Sequence, residues 1–258
     1  MRFIIITPTY KRPELLEKAI NSVTAQTYEN WHMIIVSDSS DASYESVEKK
    51  MINNNKITYV KNEDNRGANF SRNLALDIAN EQKEKNDWII LLDDDDTFAN
   101  DALETFVKIN KKHPNEKWLL TNRAYYNGET ITKIPKSDKH YSYIYGFLLT
   151  KKLKGDATHC ISLDEIKKIR FPKYVKQGEE WLLFYELSLH IKKFFYHYHN
   201  CTLSDGYSPD GLNFRKRTKI EQFKSLCLLV KESYIRKIIW HPTLLAYICA
   251  RIILIIFK

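Results

Sequence analysis

"WIILLDDDDTF", residues 88–98, sets five apolar residues directly against four consecutive aspartates. Five apolar residues without alternation describe a strand buried on both faces, the kind found inside a parallel sheet. Two neighbouring carboxylates about 4 Å apart repel by roughly 4 kcal/mol at an effective dielectric near 20. Asp93 to Asp96 therefore need water, a basic residue or a metal ion beside them.

Working outward, the same grammar repeats. Phe3 to Ile6 is an apolar run ending at Thr7-Pro8-Thr9. Pro13 suits a first helical position, and Leu15, Leu16, Ala19, Ile20 and Val23 mark one helical face. Met33 to Val36 predicts a second strand, closed by Ser37-Asp38, and Tyr44 to Ile52 a helix. Ile57 to Val60 predicts a third strand, and Phe70, Leu74 and Ile78 place a helix over Asn69 to Asn80. After the aspartates, Leu103, Phe106, Val107 and Ile109 line another helix. Strand and helix in alternation mean an α/β fold, with helices on both faces of a mostly parallel sheet. Ligands of such sheets bind beyond the carboxyl ends of the strands. Thr7, Thr9, Asp38 and the aspartates all lie at such ends.

The remainder is less regular. Trp118 to Tyr145 reads as strands and loops of a second half, and Glu179 to Lys192 as a helix. Pro242 opens an apolar tail. At 258 residues the chain suits one domain with an appendage. The predicted boundaries are 1–205 for one domain, with halves at 1–97 and 98–205. Residues 206–258 form a loop and helical extension.

With 43% hydrophobic residues a packed core is assured, and seven glycines and seven prolines exclude a collagen-like or linker-rich chain. A net charge of +8 suggests an anionic partner: a phosphorylated ligand, an acidic membrane surface or nucleic acid. A lysine-rich solvated surface is the alternative. Four dispersed cysteines, Cys160, Cys201, Cys227 and Cys249, fit neither a disulfide scaffold nor a structural zinc site. The apolar run of four at Phe3 to Ile6 is too short for a signal peptide, so a reducing cytoplasm is the expected location.

Hard carboxylate oxygens suit Mg²⁺ or Mn²⁺, which take one or two carboxylates together with the oxygens of a substrate diphosphate. The same run also fits an acidic cap on the helix that begins near Asn100. Here the chain resembles a known family. "IIITPTYKRPELLEKAINSVTAQTYENWHMIIVSDSS", "NRGANFSRNLALDIAN" and "LLDDDDTF" follow in the order and spacing of the family 2 glycosyltransferases with the GT-A fold. The resemblance is high to about residue 105, looser to about 205 and absent from the tail.

That resemblance implies a Rossmann-like nucleotide-binding half fused to a smaller acceptor-binding half. It implies that Thr7, Pro8 and Thr9 border the nucleotide base and that Asp38 bonds it, typically uracil. The family writes two aspartates and a glycine at that point where this chain has "SDSS". Arg72 matches the arginine facing nucleotide and diphosphate; a surface position is the alternative for Arg72 and for Arg66, and a turn cap the alternative for Asp38. Asp93 and Asp95 match the outer carboxylates of the metal-binding Asp-x-Asp motif, with Mn²⁺ or Mg²⁺ as cofactor. Asp94 then contacts ribose, and Asp96 bonds nearby backbone.

A sugar transferase also needs a base for the acceptor hydroxyl. "GEEW", residues 178–181, matches the family's Glu-Asp pair with glutamate in place of aspartate. Successive helical residues point about 100° apart, so one of the pair faces the cleft: Glu180 as base, with Glu179 as fallback. An acidic helix start is the plainer reading. His197 and His199 alternate along a strand and share a face, packed or solvated, with metal binding as the alternative. The turn-rich stretch before Arg215 and Lys216 is expected to close over the diphosphate.

The tail, "HPTLLAYICARIILIIFK", falls short of the about 20 apolar residues of a membrane span. Arg236, Lys237, Arg251 and Lys258 favour peripheral contact with an anionic membrane surface at the inner face of the cell membrane; packing on the core is the alternative. The resemblance implies inverting, metal-assisted transfer from a nucleotide sugar, UDP-linked, to a hydroxyl of a glycan or lipid-linked acceptor, with no nucleic-acid partner. A nucleotidyltransferase would need a glycine-rich phosphate loop after the first strand, and "TPTYKRPE" has no glycine. A non-catalytic basic module binding membrane or nucleic acid leaves the acids at several strand ends unexplained.

Overall fold

Phe3, Ile4, Ile5 and Ile6 are at most 2% exposed, and successive side chains enter different cores. Phe3 and Ile5 join one apolar cluster, while Ile4 and Ile6 join another on the opposite face. Each such side chain contributes about 2 kcal/mol on burial, and a one-residue slip would exchange the faces. The apolar runs therefore pin the register, and the register carries the polar strand ends to one rim. The structure, a computed structural model, describes residues 1–39, 44–51, 54–175, 178–205 and 218–257. Arg215 and Lys216, expected to reach the diphosphate, lie outside the described residues.

The elements run β1 (Arg2–Thr9), α1 (Pro13–Thr24), β2 (Trp31–Ser37), α2 (Glu45–Met51), β3 (Ile57–Lys61), α3 (Ala68–Glu81), β4 (Asp87–Leu91), β5 (Asp96–Phe98), α4 (Ala102–Lys112) and β6 (Trp118–Tyr125). Then come β7 (Lys139–Tyr141), a π-helical turn (Ile144–Leu149), β8 (Ala157–Ser162), α5 (Leu163–Ile166), α6 (Trp181–His190), β9 (Phe194–Ser204), α7 (Lys219–Ile235) and α8 (Pro242–Phe257). Among the described residues the strands form one sheet, ordered β3-β2-β1-β4-β8-β6-β9-β5, with β7 against β9. β3, β2, β1 and β4 are mutually parallel. β8 is antiparallel to both β4 and β6, and β9 runs parallel to β6. β1, β2, β4, β6 and β9 therefore end at the same rim. Arg2 grips Asp87 at the opposite edge through bonds of 2.9 and 2.6 Å, locking the β1–β4 register.

Through α4 the strand and helix order follows the sequence reading, apart from the short β5 after the aspartates; β8, α5 and the π-helical turn are additions to it, and two boundaries shift at the site. β1 extends through Thr9, so Thr7 and Pro8 lie buried inside the strand and not in a loop after it. α6 starts at Trp181 and not at Glu179. The tail forms α8, which packs with α7 and α6 in a third core of Leu182, Tyr185, Leu226, Leu229, Leu244 and Ile248. Trp240, Ile252, Ile253, Leu254 and Ile256 remain exposed. The tail thus packs on one side and presents apolar surface on the other. No described helix is long and apolar enough to cross a membrane.

Candidate active site

Asp93 to Asp96 form a turn closed by the Asp96 N–H donating to the Asp93 carbonyl at 3.1 Å. The charge that opens the sequence problem is answered by three arginines from three elements. Arg12, just before α1, reaches Asp95 at 2.9 Å and Asp94 at 3.1 Å. Arg72, on α3, donates to Asp93 at 2.7 Å. Arg123, on β6, donates to Asp96 at 2.7 Å.

Asp94 also accepts from the Thr9 hydroxyl at 2.8 Å, and Thr9 is in turn bonded to the Tyr44 hydroxyl at 3.0 Å. Burial raises the Asp94 carboxyl to about 6, with Arg12 and Thr9 pulling against it. Burial likewise raises Asp96 to about 7 against the pull of Arg123. At Asp93 burial also favours the neutral acid, but Arg72 overcomes it and holds the carboxyl below the usual range. Asp96, expected to bond backbone, is instead held by a side chain, the Arg123 guanidinium.

One carboxylate oxygen from each of Asp93, Asp95 and Asp96 lies within 4.8 Å of the others. Three hard oxygens at that spacing fit a dication such as Mg²⁺ or Mn²⁺. Asp94 points away from this set, toward Thr9 and Arg12.

Asp38 sits at the end of β2 and is 3% exposed. Its Oδ1 accepts from Asn62 and from the Arg66 N–H, both at 2.9 Å, and its Oδ2 accepts from the Gly67 N–H at 2.6 Å. Gly67 precedes α3 with φ +93°, a conformation open to glycine at little cost. Asp38 therefore ties β2 to the start of the helix that carries Arg72. The Arg66 guanidinium stacks 3.4 Å over the Phe70 ring.

Arg72 is 9% exposed and has two acidic partners. Besides Asp93, its Nη1 donates to Glu180 Oε1 at 3.3 Å, so a single guanidinium spans the aspartate turn and the segment before α6. Glu180 Oε1 also accepts from the Gly178 N–H at 3.1 Å. Glu179 turns elsewhere: with φ +59° its carboxylate faces Trp181, Ser225 and Arg251. The helical 100° argument for separating the two glutamates does not apply, because Glu179 precedes the helix in a left-handed conformation.

His197 bonds Asp138 at 2.9 Å and His199 bonds Asp101 at 3.2 Å. Neither belongs to the one set of acidic and histidine ligands close enough to share an ion among the described residues.

Arg12 and Arg123 escape a motif-based reading, yet each leaves a trace. A cation just before a helix start opposes the macrodipole, so Arg12 beside Pro13 implies a nearby acid. An arginine inside a mostly buried strand, as in "WLLTNRAY", equally demands a partner.

Residues 4–163 match the family described as glycosyl transferase family 2. The chain is 30% identical over 199 residues to the GalNAc(5)-diNAcBac-PP-undecaprenol beta-1,3-glucosyltransferase of Campylobacter jejuni, covering 74% of this chain and 62% of that protein. It is 34% identical over 131 residues to a protein of Escherichia coli provisionally named as the colanic acid biosynthesis glycosyl transferase WcaA, covering 50% of this chain and 45% of that one. The chain thus spans less than two thirds of either relative. The fold superposes on the crystal structure of S. aureus TarS 1–349 in complex with UDP-GlcNAc, with a TM-score of 0.71 at 18% identity, over 90% of this chain and 66% of that one.

Proposed function

Because this chain belongs to glycosyl transferase family 2, we propose that it transfers a sugar, with inversion, from a UDP-linked donor to a hydroxyl of a glycan or lipid-linked acceptor. The observation that carries this reading is the bridge from Asp93 through Arg72 to Glu180. It joins an oxygen-rich cation site to the Glu180 carboxylate through a single guanidinium. UDP is supported by the TarS complex with UDP-GlcNAc, and a lipid-linked acceptor by the undecaprenol-linked substrate in the C. jejuni relative's name.

Asp93 and Asp95 hold Mn²⁺ or Mg²⁺, with an Asp96 oxygen at the same locus. When bound, the ion offsets negative charge on the departing diphosphate. Arg72 and Arg12 supply further positive charge at that edge, in a site where fixed charges need no rearrangement as the reaction proceeds. Thr7, Pro8 and Thr9 border the base, Asp38 orients it from the end of β2, and Asp94 receives the ribose. Glu180 accepts the proton of the acceptor hydroxyl as that oxygen attacks the anomeric carbon from the face opposite the diphosphate.

The acceptor is held at the cytoplasmic face of a membrane. Trp240, Ile252, Ile253, Leu254 and Ile256 are exposed apolar residues of the tail and Lys237 is an exposed cation close to Trp240 in sequence, a composition suited to anionic lipid; Arg236 and Arg251 are instead tied to Glu186, Glu232 and Glu179.

A donor panel assayed for nucleotide release with Mn²⁺ tests the reading. Glu180→Ala is expected to lower kcat by about 10²- to 10⁴-fold, and Asp95→Ala to abolish the metal dependence. Full activity in Asp95→Ala would remove the metal assignment; full activity in Glu180→Ala would remove the base.

A further inference from the structure

The residue just before Glu180 is held from the far end of the chain. Glu179 has a side chain 8% exposed, yet its carboxylate is ionised and fully engaged. Oε2 accepts from Trp181 Nε1 at 2.6 Å, while Oε1 accepts from Ser225 Oγ on α7 and Arg251 Nη1 on α8, each at 2.8 Å. Burial works to neutralise this acid, but Arg251 and the hydrogen bonds prevail and lower its pKa. Aromatic packing backs the contact: the Tyr247 ring lies tilted, its centroid 4.7 Å from that of Trp181, and the Arg251 guanidinium lies 5.8 Å from the Tyr247 ring.

The backbone there is unusual. Gly178 and Glu179 have φ of +83° and +59°. Glycine adopts this region freely, whereas a residue with a Cβ persists in it only when its surroundings hold it there. From the other side, Asn69 Nδ2 on α3 donates to the Gly178 and Val175 carbonyls at 3.1 and 2.8 Å. The two left-handed residues send Glu179 toward α7 and α8 and leave Glu180 facing Arg72.

We infer that Arg251 and Ser225 are positioning residues for Glu180, acting through the Glu179 carboxylate they clamp. The inference rests on the assignment of Glu180 as base and adds a role for the C-terminal helices in setting it. Released from the clamp, Glu179 relaxes toward an ordinary backbone conformation and carries Glu180 off line. A displacement of about 1 Å at a reacting group costs on the order of 10²-fold in rate.

The test compares Arg251→Ala, Arg251→Lys, Ser225→Ala and Glu179→Gly in the full chain, with Glu180→Gln as reference. Glu179→Gly deletes the tether and frees the backbone there to sample other conformations as well as the left-handed one. Arg251→Ala and Glu179→Gly should each lower kcat by about 10- to 100-fold with the donor KM within about twofold of the parent. Arg251→Lys should recover most of the loss. The double variant should be no slower than either single one, because both break one linkage.

Unchanged kcat in Arg251→Ala beside an inactive Glu180→Gln overturns the clamp and leaves the base in place. An active Glu180→Gln overturns both. Should Arg251→Ala melt below the assay temperature, Ser225→Ala decides: a kcat loss of about threefold or more at constant donor KM supports the clamp, and parental kcat overturns it.

Discussion

Replacing His159 with glutamine should remove a loss of stability that the parent suffers on acidification. His159 lies on β8, 9% exposed, with its ring 3.8 Å from that of Phe184 and its Nδ1 accepting from Trp118 Nε1 at 3.1 Å. Burial alone lowers its pKa from 6.5 to about 3. The folded state therefore takes up this proton late, and its contribution is complete above pH 6.5 and lost as the pH falls toward 3. Integrating the linkage from neutrality gives a loss of about 2 kcal/mol at pH 5 and about 3 kcal/mol at pH 4. The site acids oppose it. Asp94 at about 6 and Asp96 at about 7 bind protons more tightly folded than unfolded. Acidifying from pH 7 to 5 then stabilises the metal-free fold by about 1 and about 2 kcal/mol respectively. The parent curve alone mixes these opposing contributions, and its difference from His159→Gln isolates the imidazole. Urea unfolding followed by tryptophan fluorescence at pH 7, 6, 5 and 4, extrapolated linearly to zero urea, reads that difference. Glutamine carries no charge at any of these pH values and keeps an acceptor for Trp118, so its pH-independent cost shifts the curve without tilting it. Parallel curves for parent and variant would show that the ring protonates freely within the fold and would refute the reasoning.

Asp38→Asn is isosteric but turns one acceptor oxygen into a donor facing the N–H of Arg66 or Gly67; a loss of about 2 kcal/mol in unfolding free energy and weakened donor binding by calorimetry are expected. Changing Trp240, Ile253 and Ile256, all more than half exposed, to serine should release the protein from vesicles containing anionic lipid without shifting its melting temperature, and unchanged co-sedimentation would rule out the tail as the contact. Serine substitution is preferable to deleting 240–258, since Leu244 and Ile248 belong to the third core.

Much of this was legible along the chain because it is governed by nearest neighbours. Unbroken apolar runs at Phe3–Ile6, Met33–Val36 and Trp88–Leu92 can only be strands covered on both faces, and the helices between them make the crossovers parallel. Polar residues after such runs must surface at one rim, so Thr9, Asp38 and Asp93 to Asp96 were placeable together. Arg123 was not, because its meeting with Asp96 depends on β9 lying between β6 and β5, an order no local pattern encodes. Glu179 and Glu180 were inseparable for a similar reason: the left-handed turn that parts them is held by Ser225 and Arg251, 46 and 72 residues away.

The α/β alternation, the buried strands and the collection of acids at their carboxyl ends follow from local pattern along the chain, since periodicity and burial act within a few residues. Which cations meet those acids, and which glutamate lies against Arg72, depends on long-range packing. Ion pairs and tethers of that kind join elements whose proximity depends on the closing of the whole sheet and the seating of the last two helices.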